Sequence, residues 1–383
     1  MKKLGWMALV AGALASTGCG TDPLEESRAQ PVVERYAALV NENYTDAVTK
    51  AKELQTAVNV FVADPTEAKL TAARNAWLAS RPSYGQSEAF RFYGGPIDNE
   101  DTGPEGRINA WPLDEAYIDS VEGAPEAGII NATSEYPTLT EELLISLNER
   151  DGETNIATGY HAIEFLLWGQ DRSTTGPGNR PASDFEDGGT APNAARRREY
   201  LKLATDLLVK DLESVKAQWA PGASNYAKEF SAQELEESVL AMLTGLGSLS
   251  GAELSGERMT VAYDNKDQED EHSCFSDNTK ADLYANALGI QNVYLGRYGS
   301  QDGKGLDELV AAVDPKLDEE LKKRLQASID AIQAIPGPFD QAILGADNSE
   351  GRQKVKAAIE ALEAQTETLV DVATALGITL NLE

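Results

Sequence analysis

Apolar residues recur at steps of three and four along most of this chain, and the strict alternation that marks a half-buried strand is nearly absent. From 31 to 62, Val32, Val33, Tyr36, Leu39, Val40, Tyr44, Val48, Ala51, Leu54, Val58 and Phe61 trace one helical face. Asp64-Pro65-Thr66 ends that run, and Thr66 stands where an N-cap would start a second helix through Leu70, Ala73 and Trp77. Between 94 and 135 glycines and prolines break the period into a loop-rich excursion with short helical turns. Helical spacing returns over 141–148 and 158–169, then fails over 171–193, which is rich in Ser, Thr, Gly, Pro and Asp. It resumes over 194–219, 232–263, 277–298, 315–334 and 349–375, and the apolar run from Leu376 to Leu380 reads as a frayed tail. The expectation is an all-α protein of two helical bundles: residues 31–170, a linker or long loop at 171–193, and residues 194–383.

The stretch Thr158-Gly-Tyr-His161-Ala-Ile-Glu164-Phe-Leu-Leu-Trp168-Gly169 is apolar nearly all round, the mark of a buried helix. It holds one of the two histidines in 383 residues. At about 100° per residue His161 and Glu164 share a face, and Trp168 lies further along the same stripe. An imidazole and a carboxylate taken into a core need partners. Either they satisfy each other and their neighbours, or they bind something.

The chain begins Met1-Lys2-Lys3, followed by an uncharged run over 4–14 and small residues up to Cys19, the order of a signal peptide spanning 1–18. Ser16-Thr-Gly18-Cys19 resembles a lipobox, in which Cys19 is acylated and anchors the mature chain to a membrane. Gly20 in place of an aspartate then directs it to the periplasmic face of the outer membrane. Cleavage after Ala15 would instead give a soluble periplasmic protein. Residues 19–30 read as a tether.

Charge narrows the partners. The chain carries 33 basic and 63 acidic residues, a net charge of −30, and removal of Lys2 and Lys3 makes it 31 against 63, or −32. With no basic patch, nucleic acid is excluded as a partner. Metal cations remain compatible with the acidic field. Two cysteines, one of them Cys19, leave no intramolecular disulfide and no Cys-rich zinc site.

The string from Gly159 to Gly169 resembles the G-x-H-x-x-E motif of the imelysin family, also called M75 peptidase-like, in its iron-regulated protein A branch. Two other blocks resemble that branch: Glu257 to Thr279, which contains His272, and Asn286 to Gly296. A fourth runs from Arg74 to Phe92, where Arg74, Trp77, Arg81, Tyr84 and Glu88 share a helical face if the helix survives Pro82. The resemblance implies a pair of four-helix bundles with the motif helix near their interface, Glu88 as a third ligand, and Trp77, Arg81, Tyr84 and Trp168 as pocket residues. His272, with Glu269, Asp270 and Asp277, offers imidazole and hard oxygen to a divalent metal, although the acidic order is not that of an EF-hand. Cys274 reads as a packed thiol.

Other chemistries find no support. Gly245-Leu-Gly247-Ser-Leu-Ser-Gly251 sits inside a helical period with no strand before it, so close helix packing explains it better than a dinucleotide loop. There is no G-x-S-x-G elbow. Three readings compete: a lipoprotein binding iron or another divalent metal in uptake, with an iron-transport protein as partner; an M75-type metallopeptidase; and a structural or partner-binding lipoprotein. For hydrolysis, both H-E-x-x-H and H-x-x-E-H are missing: Ala162 follows His161 and Phe165 follows Glu164.

Overall fold

In the computed structural model, which describes residues 23–173 and 175–382, the long N-terminal period becomes α1 (Glu26–Ala63), its apolar stripe buried from Val33 to Phe61. Thr66 caps α2 (Glu67–Ser87) by accepting from the Lys69 amide, and Pro82 lies within that helix without ending it. The motif stretch forms α3 (Gly159–Trp168), with all ten residues buried. A fourth helix, α4 (Ala194–Trp219), packs along α1 and α3. These four form the first bundle.

The boundary drawn at 171–193 therefore moves. That segment is a loop inside the first bundle, pinned by Phe185 against Phe61 at 4.8 Å, and it leads into α4 rather than into a second unit. Its lack of periodicity reports a surface path, which does not by itself separate domains.

The second bundle contains α5 (Leu235–Ser248), α6 (Thr279–Leu295), α7 (Pro315–Gln333) and α8 (Glu350–Ala375). After Ser248 the chain widens into a π-helical segment, Leu249–Thr260, where the expected spacing was α-helical throughout. Two bonds fit the wider turn: Arg258 pairs with Glu253, and the Thr260 hydroxyl donates to the Ser255 carbonyl, each five residues back. Among the described residues the strands are a two-residue hairpin, Arg297–Tyr298 with Gln301–Asp302, and an isolated Val121–Ala124 bridge. Leu376 and Ile378 are buried, so the C-terminal run docks on the core instead of fraying.

α6 also packs on α2 and so joins the bundles. A Cβ at Gly289 would lie 2.3 Å from the Gln86 carbonyl oxygen, and one at Gly245 would lie 2.7 Å from that of Ala89. Close approach thus accounts for Gly245, as its helical context predicts. It also brings the end of α2, with Glu88 just beyond it, between α3 and the second bundle.

Candidate functional site

α3 starts where only glycine fits. Gly159 has φ +85°, and a Cβ there would stand 2.5 Å from the Ile108 carbonyl oxygen. That contact seats the helix against the loop-rich excursion and sets the direction of His161, two residues on.

His161 and Glu164 meet as the spacing predicts, with Nδ1 to Oε2 at 2.9 Å and both side chains buried. The other Glu164 oxygen accepts from the Ser276 amide at 2.9 Å and its hydroxyl at 2.6 Å. Burial outweighs these bonds and the nearby Arg81 charge, and raises the Glu164 carboxyl to about 8. The same burial, with His272 and Arg81 facing it, pushes His161 well below the usual imidazole range. His161 Nε2 has no hydrogen-bond partner.

His272 stands edge-on to His161, the ring centres 4.7 Å apart at 73°. Its Nδ1 lies 3.2 Å from Asp282 Oδ2 on α6, and its Nε2 lies 3.4 Å from Asn109 Nδ2. Arg81 donates to Asn109 Oδ1 at 2.7 Å, which fixes the amide so that Nδ2 is the donor facing His272. His272 Nε2 is then the acceptor, and Nδ1–H donates to Asp282. Burial and the Arg258 charge bring His272 down to about 4. Asp282 also accepts from Arg81 Nε at 3.0 Å and from the Ser273 hydroxyl. Burial would raise its carboxyl, but Arg81 and His272 hold it far below the carboxylate range.

Glu88, expected as a third ligand, lies at this interface with its oxygens already engaged. Arg258 donates at 2.8 Å, Arg91 at 2.7 Å and Asn109 at 3.3 Å. Burial would raise the carboxyl, yet the two guanidiniums bring it to about 2.

The Arg81 face is a buried wall. Its guanidinium sits over the rings of Tyr160 at 4.7 Å, Trp77 at 5.4 Å and Tyr84 at 5.6 Å. Trp77 also donates to the Tyr160 carbonyl at 3.0 Å. Trp168 packs on Trp77 but reaches away from the imidazoles, into the wall of a separate cavity of about 610 Å³ shared with Gln170 and Arg180. Asp277 also stands apart. It takes a left-handed φ of +57°, has Asp171 and Asp340 as its charged neighbours, and lines a cavity with Lys280 and Tyr284. Cys274 is a free thiol packed against the core, as its context predicts. Cys19 lies outside the described residues.

Four members of the site escape the sequence reading: Asn109, Arg258, Ser276 and Asp282. Asn109 sits in a non-periodic loop, and Asp282 falls between the two recognised blocks. Arg258 carried one usable signal, the lone basic residue between Glu253 and Asp264 inside a family-like block.

The donor set suits a metal in part. Each imidazole has Nδ1 engaged by a buried carboxylate, the arrangement that orients Nε2 toward a cation. A third protein donor is lacking: among the described residues no three His, Cys, Asp or Glu side chains group so as to hold a metal ion. Arg81 and Arg258 also set positive charge close by. The residues fit two-imidazole coordination of a metal that supplies its remaining ligands itself.

The Imelysin (Peptidase_M75) family model matches residues 40–369. The chain is 24% identical over 337 residues to iron-regulated protein A of Synechococcus elongatus, covering 85% of this chain and 80% of that one. Among solved structures, one described as an iron-regulated protein A precursor from Parabacteroides distasonis superposes with a TM-score of 0.70 at 23% identity, covering 92% of this chain and 96% of the other. An imelysin-like protein from Psychrobacter arcticum gives 0.63 at 15% identity, over 92% and 98%. These two structural likenesses speak for the two-bundle fold alone. No helix among the described residues is long and apolar enough to cross a membrane. With the family match spanning most of its length and the G-x-H-x-x-E residues seated between two helical bundles, this chain belongs to the imelysin family.

Proposed function

We propose that the chain is an exported metal-handling protein that takes iron or another divalent cation at His161 and His272. One observation carries the reading: His161 Nε2 is buried without a partner, 4.7 Å from a second imidazole by ring centres, while a carboxylate backs each ring at Nδ1. The Asn109 amide at 3.4 Å is a long hydrogen bond that His272 Nε2 would give up readily to a cation. The name of the Synechococcus relative ties that protein to iron regulation and favours iron here. Bound there, the metal supplies a cationic centre with open positions for an incoming ligand. The order of residues 1–19 supports export and lipid attachment at Cys19, with function in uptake alongside a transport partner.

The peptidase reading draws less support. Glu164 spends both oxygens on His161 and Ser276, which leaves none to activate water. Calorimetric titration of the purified chain with ferrous iron, manganese and zinc tests the proposal, with His161→Ala and His272→Ala alongside. Each variant is expected to weaken binding by tenfold or more. Equal affinity in wild type and both variants would overturn it.

A further inference from the structure

A second group of acids lies apart from the imidazoles. Glu271 and Asp340 are each 1% exposed, and all four of their carboxylate oxygens are buried without a hydrogen-bond partner. They come from different segments: Glu271 from the loop before α6, and Asp340 from the short helix Phe339–Leu344 that packs on that loop. Asp340, Asp277 and Asp171 are the charged neighbours of Glu271. Asp171 and Asp340 are likewise the charged neighbours of Asp277. Among the described residues no lysine or arginine pairs with any of the four. The Thr279 hydroxyl eases the burial of Glu271, and the Gln341 amide that of Asp340, but neither reaches hydrogen-bonding geometry.

A buried, unpaired carboxylate is costly, and protonation does not remove the problem. A neutral carboxyl still holds a donor and an acceptor that need partners, and here it finds neither. A cation satisfies both oxygens and cancels the mutual repulsion at once.

We propose that Glu271 and Asp340 form a site for a hard divalent cation of the calcium class, with Asp277 and Asp171 as outer carboxylates reached through water. The donors are oxygen only, which favours calcium over the softer metals suited to imidazole. Calcium takes six to eight oxygens, of which two carboxylates supply up to four, and backbone carbonyls and water complete the shell. A cavity of about 510 Å³, lined by Asp277, Lys280, Tyr284 and Pro338, opens beside the segment that carries Asp340. Bound there, the ion ties the Glu271–His272 loop to the Asp340 helix. It thereby holds His272 against His161 without touching either imidazole.

The test is calcium titration of the full chain by calorimetry, with melting followed by circular dichroism. Four proteins are compared: wild type, Asp340→Asn, the double variant Glu271→Gln/Asp340→Asn, and His161→Ala. Wild type and His161→Ala are expected to bind calcium alike and to melt several degrees higher with it. Asp340→Asn should weaken binding at least tenfold, and the double variant should show no rise in melting temperature when calcium is added. If the double variant fails to fold, Asp340→Asn alone decides. Failure of wild type to bind calcium at about 5 mM, or equal binding by Asp340→Asn, overturns the proposal. So does loss of calcium in His161→Ala with retention in Asp340→Asn, which would place the ion at the imidazoles.

Discussion

Glu88→Gln removes the charge against which Arg258 and Arg91 are both set, while keeping the side chain's shape. The magnitude can be worked in two ways. Lowering the carboxyl from its usual 4.5 to about 2 corresponds to about 3 kcal/mol, at about 1.4 kcal/mol per pH unit. Breaking a buried ion pair costs about 3–5 kcal/mol in general. The low end applies here, since Arg258 keeps Glu253 at 2.7 Å and Arg91 keeps Glu105 at 3.1 Å. The sign follows from the depressed folded value: this stabilisation is complete above about 4.5 and is lost as pH falls toward 2. Urea unfolding of both proteins should therefore show the variant about 3 kcal/mol less stable at pH 7 and only roughly half that at pH 3. A difference that stays the same between the two pH values would refute the claim that the Glu88 charge, rather than its packing, locks the bundles together.

Three further outcomes are expected. Because the Glu164 carboxyl is raised to about 8, the His161–Glu164 pair must release a proton to expose a free Nε2. Metal affinity should thus climb between pH 6 and 8, and calorimetry in buffers of different ionisation heat should detect about one proton released; a flat profile would refute this. The same raised value means that the wild-type protein loses stability as pH rises from 4.5 through 8, a loss that Glu164→Gln, neutral throughout, should not show in melting curves. Gly159→Ala combines a left-handed φ with a 2.5 Å clash and should cost about 1–3 kcal/mol or more by chemical denaturation, whereas a neutral effect would mean that the Ile108 loop moves freely.

The helices were legible because bundle packing writes its period into the sequence. The buried stripe of α1, the Thr66 cap and the all-apolar α3 each follow from spacing and residue chemistry. The His161–Glu164 contact was legible for the same reason, as a pair three residues apart on one helix. The site's other half was not. Asp282 and Asn109 reach His272 only through tertiary contact, from segments whose local pattern carries no chemistry. Glu88 shows the limit from the other side: its position at the interface followed from the family-like block. Its commitment to Arg258 depends on a π-helical segment that α-periodicity cannot reveal.

Those arginines bear on what the imidazoles can take. Arg81 with Asp282 and Arg258 with Glu88 cancel in pairs, and a Glu164 carboxyl raised to about 8 is uncharged at neutral pH, so the surroundings of the two histidines are close to neutral. A bare divalent cation entering such a space would bring two positive charges into a buried region with little to offset them. Two routes lower that charge: expulsion of the Glu164 proton, and entry of the metal with an anionic ligand of its own. Both follow from the same geometry, and both separate this site from the Glu271–Asp340 pair, whose carboxyl oxygens stand without any hydrogen-bond partner. A metal that binds the histidines should therefore depend on pH and on the accompanying anion, whereas calcium at the carboxylates should not depend on the anion.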